Sequence, residues 1–313
     1  MKNKQNKNKL LLPALSRGSK IGLVTPAGPV SQEQVAIGLQ VLTSYGFNYQ
    51  FGKYAFSDNG IVAAEVEQRL EDLHGFLEDD SIKAIWALRG GYGSIQLLKR
   101  LNYSHWMEHP KLFVGFSDLT ALQWALFSQT GIPSISGFTL TTQVHPENPF
   151  LLTGLEILAG ERTILDETVV GKEVKIVQGG RARGRFIGGT LSMICSLCGT
   201  PYWPEGEEWI VFIEDVNEPL YRIDRFFQQL ALCGFWERVN GVILGKFFNN
   251  EDLLNVSSLL LPLLKKNIPV VENFPYGHYE NSCPLPMGVT ATLHTEPFSL
   301  QWQPFLQHAS TLS

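Results

Sequence analysis

What most constrains the fold is an alternation of buried-type strands and amphipathic helices running from residue 20 to about residue 136. KIGLVTPAGPV reads as an apolar strand closing in a Gly/Pro loop, and SQEQVAIGLQVLTSYG follows with apolar residues at helical spacing. The unit then recurs: FNYQFGK as strand, AAEVEQRLEDLHGFLED as helix, IKAIWALRGG as strand, and a short helix from Ser94 to Arg100. KLFVGF is the next strand, running straight into the helix DLTALQWALFSQTG, and IPSIS is a further strand. Repeated βα units with short connections predict a parallel sheet covered on both faces. The expected N-terminal domain is therefore α/β, a flavodoxin/Rossmann-like layer over residues 20–140, preceded by a polar tail at 1–19.

The pattern then weakens, and residues 141–175 read as a connection holding a loop (TTQVHPENPF) and a short helix (LLTGLEILAGE). Beyond it KIVQGGRARGRFIGG carries closely spaced glycines, WIVFIED and VNGVILGKF read as strands, and TLSMICSLCG and YRIDRFFQQLALCG as helices. Residues 176–313 are expected to form a C-terminal mixed α+β domain.

Composition removes several classes of function. At 44% apolar and 18% charged, the 313 residues can bury a large core. A net charge of -5 offers no broad cationic surface, so nucleic acid is not an expected partner. The stretch Leu10-Leu11-Leu12 is cut off by Pro13, and no segment reaches membrane-spanning length, which makes the cytoplasm the expected compartment and excludes a membrane role. Four cysteines give no disulfide framework, and the Cys195/Cys198 pair sits in an apolar run with no second ligand pair at metal spacing.

Three segments carry candidate chemistry. KLFVGFSDLTALQW puts Ser117 at a strand-to-helix junction, where a hydroxyl is exposed at the carboxyl edge of a sheet. Leu119 breaks the G-x-S-x-G pattern, and a Ser117 or Asp118 that merely caps the helix is the commoner use of such residues. WALRGGYGS ends a strand in glycines; its spacing fits neither nucleotide-binding pattern, and it reads as an ordinary turn or as a place where Gly91 N–H, with Asp118 N–H, meets an oxyanion. WIVFIEDVNEPLYRIDRF ends a strand in Glu214-Asp215, of which only one can face a cleft, and VVENFPYGHYENSCPLPMG sets His278 in a Gly/Pro-rich loop after a strand.

Taken together, IGLVTPAGPV, LRGGYGS, FVGFSDLTAL, GGTLSMICSLCGTPYWP, IVFIEDVNEPLYRIDRFFQQL, GVILGKF and FPYGHYENSCPLPMG, in that order over residues 20 to 295, resemble the LD-carboxypeptidase family. The resemblance implies a two-domain serine peptidase whose triad falls on Ser117, Glu214 and His278. The oxyanion donors would fall on the backbone of Asp118 and Gly91, with no metal or organic cofactor required. It also implies a peptide substrate, murein tetrapeptide losing its terminal D-alanine, and is compatible with a homodimer. Arg89, Arg183 and Arg222 are candidate anchors for the peptide carboxylate. Ser136-Gly137-Phe138 and Thr190 depart from the family pattern, which puts the substrate pocket in question. Alternatives are an immunity-type peptidase acting on a peptidyl-nucleotide, with Trp203 or Trp236 as purine platform, and a binding protein without turnover.

Overall fold

The computed structural model describes residues 11–250 and 252–307; the first ten residues of the expected tail lie outside it. Five strands, β1 (Lys20–Val24), β2 (Asn48–Phe51), β3 (Ile82–Ala87), β4 (Leu112–Gly115) and β5 (Ser134–Ser136), pair in parallel in the order β2-β1-β3-β4-β5. That is the flavodoxin-like order, so the α/β expectation holds. Helices α1 (Gln32–Ser44), α2 (Val66–Glu78), α3 (Tyr103–Glu108) and α4 (Thr120–Thr130) link the strands. Burial on both faces explains why β3 and β4 lack period-two patterning: Ala84, Ile85, Trp86, Leu112, Phe113 and Val114 are all 0% exposed.

Local chemistry sets the helix starts. Ser31 and Gln34 form a reciprocal capping box at α1. Asn102 Oδ1 accepts the His105 N–H at 3.1 Å and starts α3, a helix the apolar periodicity does not announce. The short helix expected from Ser94 is a 3-10 turn, Ser94–Leu97.

The second sheet is built from β6 (Ile164–Asp166), β7 (Lys175–Gln178), β8 (Arg181–Thr190), β9 (Trp209–Val216), β10 (Val239–Asn249), β11 (Val270–Glu272), β12 (Val289–Thr295) and β13 (Phe298–Trp302). Its order is β6-β13-β12-β8-β9-β10-β11-β7, with Asp252–Leu253 pairing off β10. The centre, β8 to β11, is parallel and the flanks are antiparallel, a mixed sheet. Helix α5 (Leu151–Leu158) lies in the stretch between the halves, and α6 (Leu191–Ser196) and α7 (Leu220–Leu232) are the longer helices of the second, with short turns at Glu167–Val170 and Ser257–Leu260.

Three segments sit elsewhere than the sequence pattern placed them. Ile164–Asp166, inside the stretch read as connection, is an edge strand of the second sheet. Leu12–Pro13 pairs with Leu306–Gln307, and Leu12, Ala14 and Leu15 are buried, because this part of the tail is apolar. Leu285–Met287 crosses back and pairs antiparallel with β5, extending the first sheet. The halves also lock where α4 meets β8: Trp124 Nε1 donates to Gly188 O at 2.8 Å, and Thr190 N donates to Thr120 Oγ1 at 3.1 Å.

Candidate active site

β1, β3 and β4 all end at one edge of the first sheet, where an open parallel sheet of this order leaves a crevice. Gly28 follows β1 and Gly90-Gly91 follow β3, and Gly28 N donates to Gly90 O at 3.0 Å. Ser117 follows β4. A Cβ on Gly90 would lie 2.6 Å from the Ser117 Cβ, so only glycine lets the β3 turn press against the serine.

Ser117 is held at φ 66°, in the left-handed region that a serine enters only under constraint. Phe116 before it is extended and the 3-10 turn Ser117–Leu119 follows, so the chain reverses sharply at the hydroxyl. Neither Ser117 nor Asp118 caps α4, whose N-cap is Leu119 with no side-chain bond. The Asp118 carboxylate turns back instead and accepts from Ser94 N at 2.8 Å and Gly93 N at 3.3 Å, while Ser94 Oγ donates to Asp118 O at 2.7 Å. Burial pushes the Asp118 carboxyl up, against the pull of those donors and of Arg69. Arg69, itself buried, donates to Pro26 O and Gly93 O. The loop after β3 is thus stapled to the serine turn.

His278 reaches Ser117 from the loop after β11. Its Nε2 lies 2.7 Å from Ser117 Oγ, and its Nδ1 lies 2.7 Å from Glu214 Oε2. A carboxylate only accepts, so Nδ1 carries the proton toward Glu214 and Nε2 is left to accept from the serine. Glu214 is 0% exposed near the end of β9; its second oxygen accepts from Thr190 Oγ1 at 2.7 Å. Asp215, the neighbour, points the other way and accepts from Ser192 N at 2.7 Å. Burial, reinforced by the Glu214 charge, pushes Asp215 up to about 7.

Burial pulls the His278 pKa down, but the adjacent Glu214 charge and its hydrogen bond outweigh that, and the net direction is up. The loop is fixed from several sides. Phe116 and His278 rings lie 4.6 Å apart between centroids, Tyr276 Oη and Ser136 Oγ share a hydrogen bond at 2.8 Å, and Gly277 N donates to Ser282 Oγ at 3.0 Å. Gly277 sits at φ 150°, a conformation that favours glycine, and a Cβ there would come within 3.0 Å of Lys246 O.

Ser117 and His278 open onto a cavity of about 220 Å³, walled also by Gly90, Gly91, Thr139, Thr142 and Gln143, with Arg89 at its rim. A larger recess of about 500 Å³, bounded by the start of α1, Phe56 and Asp58, lies on the other side of Arg89. Arg89 Nη1 donates to Pro29 O at 2.8 Å, and among the described residues no carboxylate pairs with it. Arg222 is paired with Glu218 at 2.8 Å, and Arg183 is an exposed residue of β8; neither lines the cavity.

Ser117, Glu214 and His278 therefore sit in contact, Gly91 lines the cavity, and Asp118 follows the serine. Trp236 is buried among Phe227 and Phe235, and Trp203 packs on Trp124, so neither faces the cavity. Ser136 and Phe138 are likewise buried, and the departures at these positions and at Thr190 fall behind the pocket wall rather than in it. Thr190 as a partner of Glu214 is not evident from the sequence. Its register opposite Glu214 on the adjoining parallel strand is a signal only the sheet supplies.

Residues 21–137 match the LD-carboxypeptidase N-terminal domain and residues 183–293 the LD-carboxypeptidase C-terminal domain. The chain is 29% identical over 290 residues to a probable murein peptide carboxypeptidase of Bacillus subtilis, covering 90% of this chain and 91% of that one. It is 30% identical over 302 residues to the murein tetrapeptide carboxypeptidase of Pseudomonas aeruginosa, covering 90% and 95%. The solved structure of MccF in complex with glutamyl sulfamoyl guanosine shares the fold, with a TM-score of 0.86 at 23% identity over 95% of this chain and 100% of that chain.

Proposed function

The chain belongs to the LD-carboxypeptidase family, and from that premise we propose that it hydrolyses the amide joining an L-centre to a terminal D-amino acid, with murein tetrapeptide as substrate and D-alanine as product. Membership makes it a serine-type carboxypeptidase, a hydrolase acting on peptides. The observation that carries the finer reading is the unbroken contact from Ser117 Oγ through the His278 ring to Glu214, with both ends at 2.7 Å.

In this reading Ser117 Oγ attacks the scissile carbonyl carbon while His278 Nε2 takes its proton. Glu214 holds the ring tautomer and stabilises the imidazolium that forms. Backbone N–H groups of Asp118 and Gly91 receive the oxyanion. Collapse breaks the C–N bond, and the His278 proton passes to the departing D-alanine nitrogen. Water then enters, gives a proton to Nε2 and adds to the acyl carbon; collapse breaks the acyl–Oγ bond, and the His278 proton returns to Ser117 Oγ as the carboxylic acid leaves. Arg89, unneutralised by any described carboxylate, anchors the terminal carboxylate of the substrate. The remainder of the peptide lies over the cavity wall at Thr139 to Gln143. Among the described residues no helix is long and apolar enough to cross a membrane, and we assign the reaction to the cytoplasm, where recycled wall peptides are met.

A peptidyl-nucleotide substrate would need an aromatic face for its base; Trp236 is buried in the core, the half-buried Trp203 packs against that core, and neither lines the cavity. The test is incubation of purified protein with tetrapeptide and with the tripeptide amide, read by mass spectrometry. Loss of one D-alanine by wild type and not by Ser117→Ala is expected. Equal turnover by the variant would remove Ser117 from the mechanism.

A further inference from the structure

A second cluster of chemistry-bearing side chains lies on α2 and α3, elements that contribute nothing to the cavity wall. The segment His105-Trp106-Met107-Glu108-His109 sets two histidines four residues apart, which puts them on one face of a helical turn, with a carboxylate beside the second. One ligand atom each from His105, Glu108 and His109 lies within 4.8 Å of the others. His105 Nδ1 is 3.9 Å from Glu108 Oε2. On the opposite edge of the ring, His105 Nε2 is 3.3 Å from Oε1 of Glu78, the last residue of α2, yet that nitrogen is shut off from water and makes no hydrogen bond of good geometry.

We propose that His105 Nδ1, a Glu108 oxygen and His109 form a binding site for a divalent transition metal, with Glu78 as the outer carboxylate that fixes the His105 ring. Two imidazoles and one carboxylate suit zinc or its first-row neighbours rather than magnesium or calcium. Ligation at Nδ1 puts the remaining ring proton on Nε2, where it points at Glu78. This is the histidine–carboxylate pairing that metal sites use to orient a ligand, and it gives the orphaned nitrogen a partner. Ligand atoms around tetrahedral zinc stand about 3.4 Å apart, from bonds of about 2.1 Å, so the cluster, all within 4.8 Å, must tighten by at most roughly 1.4 Å. Glu108, with its side chain 69% exposed and already 3.9 Å from His105 Nδ1, can close its own share of that gap. His74, one turn before Glu78, is already engaged, its Nε2 accepting the Asn102 N–H at 3.3 Å, so it is not a ligand. Glu108 is exposed while the two histidines are half-buried, and water would complete the coordination. A bound ion ties the end of α2 to the end of α3, the helix whose next strand is β4 and thus the serine turn.

Chelator-treated full-length protein titrated with Zn²⁺, followed by calorimetry and thermal melting, tests this. One equivalent should bind and raise the melting temperature, and Co²⁺ should give ligand-field bands without thiolate charge transfer. His109→Gln and His105→Gln should each weaken binding on the order of tenfold or more, with the metal-free melting temperature of His109→Gln matching wild type. Cys198→Ser should leave affinity unchanged. No binding up to millimolar Zn²⁺, retention of full affinity in the double histidine variant, or loss of binding in Cys198→Ser would each overturn the assignment.

Discussion

Replacing Gly90 by alanine adds one methyl group at the tightest approach in the site. Gly90 has no positive φ, so alanine meets no backbone objection there. The cost is purely steric: the new carbon falls 2.6 Å from Ser117 Cβ, 3.0 Å from Oγ and 3.1 Å from Phe116 O. Carbon pairs settle at about 3.5–4.0 Å, so the two turns must part by roughly 1 Å. Ser117 cannot rotate away, because Cβ is fixed by a main chain already held at φ 66°. The displacement therefore moves the hydroxyl relative to His278 Nε2, which it meets at 2.7 Å. A misplacement of about 1 Å costs on the order of 10²-fold in rate, or about 2.7 kcal/mol of barrier. The overpacked contact should also lower stability by about 1–3 kcal/mol. Steady-state release of D-alanine should show the loss in kcat, and covalent labelling of Ser117 by a fluorophosphonate should slow by a similar factor. A Gly90→Ala enzyme with wild-type kcat and labelling rate would refute the claim that this close approach positions the nucleophile.

Four further outcomes follow from the same geometry. Glu214→Gln keeps the shape but lets the side chain donate to the ring, and kcat should fall by on the order of 10⁴, measured as D-alanine release. The base must be neutral to act, so the acid limb of the kcat/KM profile should lie above the ordinary imidazole value of about 6.5 and move down in Glu214→Gln. The same raised His278 pKa contributes stability that is complete below about pH 6.5 and fades as pH rises through the folded value; denaturant melts of wild type against Glu214→Gln across that range read it. Thr190→Val removes a buried bond to a carboxylate and should destabilise the fold by about 1.5–3 kcal/mol, with urea midpoints as the measure and a smaller loss of kcat than Glu214→Gln.

Strand and helix alternation was legible because β1, β3 and β4 are short, mainly apolar runs followed within a few residues by Gly, Pro or Ser, features that local chemistry writes into the sequence. Ser117 and His278 each follow a strand into a turn, which makes them candidates, but that pattern alone suits a helix cap and a solvated loop side chain equally, and their pairing comes from the family resemblance. What escaped notice depends on distance along the chain. Which glycine presses on the serine is decided by the packing of two loops, so the Gly90 contact with Ser117 is not readable from the glycine cluster LRGGYGS alone. Thr190 meets Glu214 only through strand register, and α3 owes its start to one asparagine side chain rather than to periodicity.

The strand Leu285–Met287 gives the histidine loop two moorings, β11 of the second sheet before it and β5 of the first sheet after it. A polypeptide stopped after residue 160 would possess every other strand of its first sheet and still leave Ser134–Ser136 as a bare edge, the kind that recruits foreign strands. Nascent chains thus reach a finished first layer only once the segment bearing His278 has emerged, so that layer and imidazole arrive together.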